Sequence, residues 1–428
     1  MLSQTVLPAR SIGPLATPSG GTLDPYRFYL SARAFYGFCW TTMTVVSLVY
    51  MVEVAGLDPL QMVLVGTALE LSAFVFEIPT GIFADTVSRK WSVVIGHALT
   101  GIAFVALAMF PRFDVIILTQ ILWGFGWTFI SGAYPAWLSE EIGVERANRA
   151  LLRATQISQV TAFFGIGAGI ALAQVSLQLP IAVGGCAVLL LAVAMSSLMR
   201  ETGFEPAGPS LRSGEQNTWR ALTHTFRQGV RELRLQPVLI TIMLVGVVIG
   251  MFSEGFDRLY TPYLLETFTF PALGALDTVV WWGVISAVSL VMGLIATTLA
   301  QRWVDTESHR QLTISLAALT LGIAISVVAF ANLPYFYGVL ACFWVANGMR
   351  AAMGPLSTAW LNRRIPAHAR ATLLSMQGQS DSVGQAMAGP VVGVIAKYVS
   401  IAAALTVSGL ILIPSMWLYR RVTDADDS

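Results

Sequence analysis

Charged residues are scarce in this sequence, since Asp, Glu, Lys and Arg make up only 11% of 428 residues. Hydrophobic residues make up 55%, and the mean hydropathy is +0.69. Soluble domains carry about 25% charged residues. The composition therefore excludes an ordinary soluble protein and predicts a chain that crosses a membrane several times. With a net charge of only +1, we predict no nucleic-acid partner.

Cysteine and histidine are also rare, with three and four residues. Cys39, Cys186 and Cys342 lie far apart inside apolar runs, so we predict neither a disulfide framework nor a metal site. A Gly-Lys-Ser phosphate-binding loop is missing as well, which argues against ATP as the energy source. We therefore predict that the protein is not an enzyme and needs no cofactor.

Long apolar runs account for most of the chain. About 20 apolar residues cross a bilayer as a helix, and by this measure the sequence predicts twelve spans. Residues 1–26 contain no apolar run behind a basic start, so we predict no signal peptide and a first span that is retained. The predicted spans cover residues 28–52, 59–84, 90–110, 114–138, 150–174, 178–199, 237–263, 273–301, 310–331, 334–361, 370–396 and 400–420.

Basic residues are concentrated in the two tails and in alternate connections between these spans, whereas the other connections hold only Arg112 and Lys397. Cytoplasmic connections carry the excess of Lys and Arg. We therefore predict that both termini lie in the cytoplasm. A multi-pass protein of the inner (cytoplasmic) membrane is expected.

The two halves of the chain contain matching segments at nearly constant offset. This duplication predicts two six-helix bundles with a substrate pathway between them. The predicted organisation is a flexible tail (1–26), a first bundle (27–200), a linker with an amphipathic helix (201–236), a second bundle (237–421) and a C-terminal tail (422–428). The matches are Asp85–Lys90 with Asp305–Arg310, Ala136–Leu138 with Ala359–Leu361, and Arg149–Leu152 with Arg370–Leu373.

The segment between the second and third spans has the pattern Gly81-x-x-x-Asp85-x-x-Ser88-Arg89-Lys90. It resembles the loop signature of the major facilitator superfamily of secondary transporters, and the resemblance covers nearly the whole chain. It implies an all-α integral membrane fold, with twelve transmembrane helices in two pseudosymmetric six-helix bundles, and transport by alternating access. Residues 69–81 are most similar to the bacterial drug-efflux branch, including tetracycline-resistance-like exporters.

By this resemblance, the signature loop holds a cytoplasmic gate shut. An acidic pair after the fourth span is expected to bind the loop, and a basic pair after the tenth span to oppose it across the two halves. The alternative is that these are solvated charges that contribute little. The predicted gate residues are Gly81, Asp85, Arg89, Lys90, Glu140, Glu141, Arg363 and Arg364.

Polar and aromatic stripes run along the first, fourth, seventh and tenth spans, which line the pathway in the family. Polar groups at bilayer depth favour a cavity because lipid does not hydrogen-bond them, although an aromatic stripe alone more often reflects packing. Arg33 and Glu77 lie at similar counted depths, so we predict that they pair, with substrate contact as the alternative. The candidate cavity residues are Arg33, Tyr36, Trp40, Glu77, Gln120, Trp127, Tyr134, Asn347 and Arg350.

Four carboxylates inside the predicted spans are candidates for carrying protons, because charge is rarely retained there without a function. Glu70 has no obvious partner at its depth and is the first choice. Asp381 is the second, and we expect it to pair with Arg350. Glu254 can bond to Arg258 one turn away, which leaves Asp257 as the third.

These observations favour a monomeric exporter that exchanges protons for an amphipathic, neutral or cationic small molecule, a drug or a metabolite. One alternative is a symporter or facilitator for an anionic or sugar-like metabolite, with Arg33 and Arg350 as anchors. Another is a scaffold, receptor or lipid-flipping protein that keeps the fold without drug transport.

Overall fold

The computed structural model describes residues 24–206, 237–272, 278–364 and 370–419, and these residues form helices and no strands. Most of the predicted tails and linker lie outside these ranges, as does the amphipathic helix. The helices are α1 (Pro25–Glu53), α2 (Pro59–Thr86), α3 (Arg89–Met109), α4 (Phe113–Ile142), α5 (Val144–Ala173), α6 (Gln178–Leu198), α7 (Pro237–Thr267), α8 (Val280–Trp303), α9 (His309–Asn332), α10 (Phe336–Arg364), α11 (Arg370–Tyr398) and α12 (Ile401–Tyr419).

Polar residues next to the short turns fix where the helices begin. The Asp58 side chain accepts a hydrogen bond from Gln61 N at 2.9 Å, and the Gln61 side chain accepts one from Asp58 N at 3.0 Å. This reciprocal cap satisfies backbone groups that the first turn of α2 leaves free. Ser88 caps α3 through Trp91 N, and Ser400 caps α12 through Ala403 N.

Three described helices are interrupted, and the sequences of α1 and α4 show why. Near the break in α1, the hydroxyls of Thr41, Thr42 and Thr44 bond to carbonyls one turn earlier, and such bonds bend helices. In α4 the break falls at Gly132. Pro135, just beyond it, has no N–H with which to continue the helical ladder.

Ten of the helices are long and apolar enough to cross a membrane by length and composition. The two described helices that fall short of this measure are α10 and α11. They carry Asn347, Arg350, Asp381, Ser382 and Gln385 in their middle turns. Helices this polar are stable at bilayer depth only where other helices or a water-filled cavity take up their polar side chains.

The helices pack in two groups with the same internal pattern. In the first group α1 packs on α5, α2 on α4, and α3 on both α4 and α6. The second group repeats these pairs with each helix number raised by six. Between the groups, α2 packs on α11 and α5 packs on α8. Shifting each helix number by six, up in one half and down in the other, converts one of these contacts into the other. The predicted fold class is confirmed as two pseudosymmetric six-helix bundles, here called the first and second halves.

The halves meet at the end where α2 begins and α11 finishes, which we call the far end. The opposite end, with the turn between α2 and α3 and the start of the linker after α6, is called the linker end. Small residues allow the helices of the two halves to approach closely at the far end. The glycine contacts there are Gly393 with Leu60 and Val63, Gly389 with Thr67, and Gly283 with Ile166 and Ile170.

An ion pair between the halves adds to this closure. Lys397 Nζ on α11 lies 2.9 Å from Asp58 Oδ2, just before α2. Partial burial raises the pKa of Asp58, but hydrogen bonds from Lys397 Nζ and Gln61 N outweigh this effect and hold that pKa below its usual value. Neither member of this pair was predicted from the sequence to have a role.

Candidate functional site

A cavity of about 860 Å³ lies between the halves, bounded by α1, α2, α4, α7 and α11. It extends from Arg258 on α7 towards the linker end, where Gly132 and Gln379 line it. The indoles of Trp40, Trp123 and Trp127 form one wall. The carboxylates of Glu70, Glu77, Glu254 and Asp257 also line this central cavity. Its walls therefore combine aromatic surface with an excess of acidic groups.

Glu70 links the two halves inside this cavity. Its Oε2 accepts a hydrogen bond of 2.8 Å from the Ser382 hydroxyl on α11. Ser382, Gln385 and Gly378 all line the cavity, and their spacing places them on one face of α11. These residues were not predicted from the sequence, although polar side chains at this spacing in a weakly apolar span were the available signal.

Arg350 binds Asp257 and not Asp381, which corrects the pairing expected from the sequence. Its two terminal nitrogens donate to the two Asp257 carboxylate oxygens, at 2.5 and 2.7 Å. The guanidinium also lies 5.3 Å from the Phe252 ring centroid. Asp381 instead accepts a hydrogen bond of 2.8 Å from Gln385 Nε2, one turn along α11. The depth count was too coarse to choose between two acids on neighbouring helices.

Glu254 and Arg258 lie one turn apart on α7, and Arg258 Nε lies 3.9 Å from Glu254 Oε2. The Glu254 side chain is 1% exposed. Among the described residues, its Oε1 and the Arg258 Nε have no hydrogen-bond partner. A Cβ added at Gly66 of α2 would lie 2.2 Å from both atoms. This loose pair is therefore packed directly against the backbone of the first half.

Arg33 and Glu77 do not pair in the described structure, which corrects a second expectation. Glu77 lines the central cavity beside Ser131, whereas Arg33 lines a separate niche against α5. The Arg33 guanidinium lies 5.9 Å from the Tyr36 ring centroid. Similar depth along two helices does not place two side chains on facing surfaces.

Several predicted cavity residues lie in packed interiors. Gln120 and Tyr134 are 2% and 3% exposed, and the Tyr134 ring packs 4.7 Å from that of Tyr29. Asn347 uses its side-chain amide to donate to Phe343 O at 2.9 Å. By contrast, Trp40 and Trp127 line the central cavity and Tyr36 lines the niche. The stripes thus serve packing at some positions and face open space at others.

The signature loop makes its contacts inside the first half. Arg89 lies 2.9 Å from Glu140 and 3.4 Å from Asp85, which is exposed along with Gly81. Glu141 turns the other way and accepts hydrogen bonds from the backbone and hydroxyl of Thr202. The side chains of Arg363 and Arg364 lie outside the described set, so the expected latch between the halves stays a prediction.

An unexpected acid, Glu201, completes this cluster. It accepts a 2.6 Å hydrogen bond from Ser88 Oγ and a 2.9 Å bond from Lys90 N, at the start of α3. A carboxylate is favourable at a helix N-terminus, where free N–H groups point outwards. The Trp137 indole also donates to Arg200 O at 2.7 Å. The start of the linker is therefore fastened to the first half.

Comparisons with known proteins identify the class. The family model of the Major Facilitator Superfamily matches residues 29–329, and the chain belongs to that superfamily. The protein is therefore a membrane transporter of the MFS type. An uncharacterised MFS-type transporter of Bacillus subtilis (strain 168), YxaM, is 22% identical over 407 residues, which cover 94% of this chain and 96% of the relative.

Solved structures show the same fold. A bacterial homologue of the human lysosomal transporter Spinster, in an inward-facing and unoccupied conformation, has a TM-score of 0.69 at 14% identity and covers 93% of this chain and 97% of its own. The nucleoside transporter NupG gives 0.70 at 14% identity, with 93% and 99% covered. A POT family transporter in complex with a thioalcohol-conjugated peptide gives 0.72 at 12% identity, with 94% and 96% covered. Identities this low establish the fold alone.

Proposed function

We propose that this protein is a proton-coupled secondary transporter of the cytoplasmic membrane that exports an amphipathic small molecule in exchange for protons. The basic connections favour the linker end as the cytoplasmic end. With the far end closed, the central cavity then faces the cytoplasm. Its indole wall suits the apolar part of a cargo, and its carboxylates suit a polar or cationic part.

The observation that carries the proposal is the convergence of carboxylates from both halves on one cavity. Glu70 belongs to the first half, while Glu254 and Asp257 belong to the second. Arg350 neutralises Asp257, and Arg258 lies close to Glu254. Glu70 has no cation within ion-pairing distance among the described residues. Carboxylates that share one cavity repel one another. A proton or a cationic cargo bound to one of them relieves this repulsion, so the two compete for the same acid.

The Glu70–Ser382 hydrogen bond provides a link between this competition and movement. Glu70 lies on α2 and Ser382 on α11, the helices that close the far end. A charged acceptor makes a stronger hydrogen bond than a neutral one. Protonation of Glu70 therefore weakens the contact between the halves and favours opening of the far end, where bound cargo leaves.

The central test is transport by Glu70→Gln in proteoliposomes under an imposed pH gradient. A toxicity panel in a host without its own pumps, repeated with a protonophore, supplies the cargo. We expect Glu70→Gln to abolish transport driven by the gradient, because the amide can still accept from Ser382 but binds no proton. Glu145→Gln, an exposed acid at the start of α5, is the matched control. Gradient-driven transport at the parental rate in Glu70→Gln would refute the assignment.

A second candidate is symport of an anionic or zwitterionic metabolite. The absence of an acidic partner for Arg33 among the described residues favours it, because a free guanidinium is a ready anion site. Uptake and extrusion of one labelled cargo by right-side-out and inverted vesicles separate the two directions. Accumulation in right-side-out vesicles with an inward proton gradient would favour symport over export.

A further inference from the structure

A second cavity, of about 370 Å³, lies beside the central one. Its walls include Arg33, Tyr36, Trp40, Trp127, Ser158 and Gln159. Trp40 and Trp127 also line the central cavity, so the two spaces adjoin at these indoles. Leu290 of α8 contributes to the wall from the second half. We call this space the Arg33 niche, and its shape depends on both halves.

Arg33 is the cation of this niche and is not neutralised by the described residues. Its Nε is buried without a hydrogen-bond partner, and no described carboxylate lies within ion-pairing distance of the guanidinium. It lies eight residues into α1, roughly 12 Å along the helix. An intramembrane charge is expensive to retain without a partner. This partner is therefore expected to come from outside the chain.

The rest of the niche suits one end of an amphipathic molecule. Tyr36 and Trp40 stack with their ring centroids 5.9 Å apart and offer aromatic surface. Ser158 and Gln159 add neutral polar groups. The described lining contains no carboxylate, in contrast to the central cavity with its four acids. The two adjoining spaces thus have opposite charge.

We propose that the Arg33 niche binds the anionic group, a carboxylate or a phosphate, of an amphipathic or zwitterionic molecule whose remaining part lies in the central cavity. This inference rests on the proposed transport function and names the chemical class of its cargo. Arg350, the other anchor considered from the sequence, is excluded from this role by its two hydrogen bonds to Asp257. Anion binding is therefore assigned to Arg33, in the first half.

Three fluorescent probes with one aromatic body test this assignment. Dansylglycine carries a carboxylate, ε-dansyl-lysine is a zwitterion and dansylcadaverine is a cation. Binding to the full-length protein in phosphatidylcholine nanodiscs is followed by energy transfer from tryptophan to the dansyl group. We expect Arg33→Gln to weaken the two carboxylate-bearing probes about tenfold or more, the effect of losing a charge-assisted hydrogen bond, and to change dansylcadaverine less than about twofold.

Two further variants control this measurement. Arg27→Gln removes an exposed arginine from the same helix, outside the niche, and should leave all three affinities unchanged. Arg33→Lys keeps the charge and should restore part of the selectivity. Equal weakening of all three probes by Arg33→Gln, no weakening at all, or failure of the wild type to bind either carboxylate-bearing probe would overturn the proposal.

The anionic group can belong to a dissolved cargo or to a lipid headgroup. Repeating the titration with phosphatidylglycerol in the nanodisc separates these sources. Arg33-dependent competition by the added lipid assigns the niche to the headgroup of an anionic lipid, and undiminished dansylglycine binding assigns it to a dissolved anion. Because equilibrium binding needs no proton gradient, this result is independent of whether Glu70→Gln abolishes transport.

Discussion

The two ends of the molecule differ in how their contacts are arranged. At the far end, glycines, an ion pair and apolar side chains join one half to the other. At the linker end, Arg89, Glu140 and Glu201 make their contacts within the first half. Closure at the far end therefore depends on how closely two rigid bundles approach. The linker-end cluster instead stabilises one bundle.

This difference indicates which contacts would break in the proposed exchange between two states. A rigid-body movement of the halves keeps the linker-end cluster of the first half intact, whereas it breaks the far-end contacts between the halves. Val175 and Val399 are both exposed at the far end, in opposite halves. Spin labels on cysteines introduced at these two positions report the distance between the halves at the far end. The native Cys39, Cys186 and Cys342 are replaced for this purpose.

Enlarging Gly66 should have the largest effect. A Cβ at this position would meet Glu254 Oε1 and Arg258 Nε at 2.2 Å. Gly66→Leu must displace the ends of these two side chains or move α2 away from α7, and overpacking costs about 1–3 kcal/mol. We expect the ratio of far-end-open to far-end-closed molecules to rise roughly 5- to 150-fold, seen as a longer distance between the labels.

The control for this change is Gly167→Leu on α5, where an added Cβ has no neighbour within 4 Å. It introduces the same side chain into a helix without touching the second half. A Gly66→Leu protein whose label distances match those of the wild type would show that the Gly66 contact does not hold the far end closed.

Removing the Ser382 hydroxyl should have an intermediate effect. Ser382→Ala deletes the hydrogen bond to Glu70 without leaving a bulky group, and a hydrogen bond to a charged group contributes about 1.5–3 kcal/mol when buried. Glu70 faces a cavity, so we expect less, roughly a five- to tenfold shift towards the open far end. In Glu70→Gln the same hydroxyl meets a neutral acceptor. If protonation weakens this contact, Ser382→Ala should make the label distances less sensitive to pH.

Breaking the Asp58–Lys397 ion pair should have the smallest effect on the far-end equilibrium, because both side chains are partly exposed. Asp58→Asn is expected to shift the far-end equilibrium at most about fivefold, and less at high salt. Glu140→Gln at the linker end is the control, and should not change the far-end distance because its partner Arg89 belongs to the same half.

The pH dependence of this pair follows from the lowered pKa of Asp58. A carboxylate with a lowered pKa in the closed state stabilises that state fully above its ordinary pKa of about 3.9 and loses the effect as pH falls through the lowered value. Between pH 5 and 8 the pair should therefore contribute a constant amount. A change in label distance across that range which disappears in Asp58→Asn would contradict this assignment.

The fold was predictable because it depends on properties that are local in the chain. Long apolar runs, the matching segments of the two halves and the signature loop at Asp85 and Arg89 were enough to predict two six-helix bundles. Pairing of Arg89 with Glu140 also followed from sequence, since the turn after α2 and the end of α4 lie at one end of the same bundle. Glu201 was missed because its role depends on where the chain passes after α6.

The candidate site was less predictable, because counting residues gives depth along a helix but not the direction of a side chain. Arg33 and Glu77 lie at similar depth but on surfaces that do not face each other. Arg350 had two acids within reach, and the packing of α7 against α10 selected Asp257. Gln120 and Tyr134 satisfied the stripe pattern yet pack in the first half.

The sequence by itself determined that this chain crosses the membrane as two duplicated helical bundles, because hydropathy and span length depend only on neighbouring residues. Tertiary structure alone decided which intramembrane charges neutralise one another and which face a cavity. Those choices depend on the rotation of each helix about its axis and on the distance between helices. Glycines such as Gly66 set that distance, and their neighbours are far away in the chain.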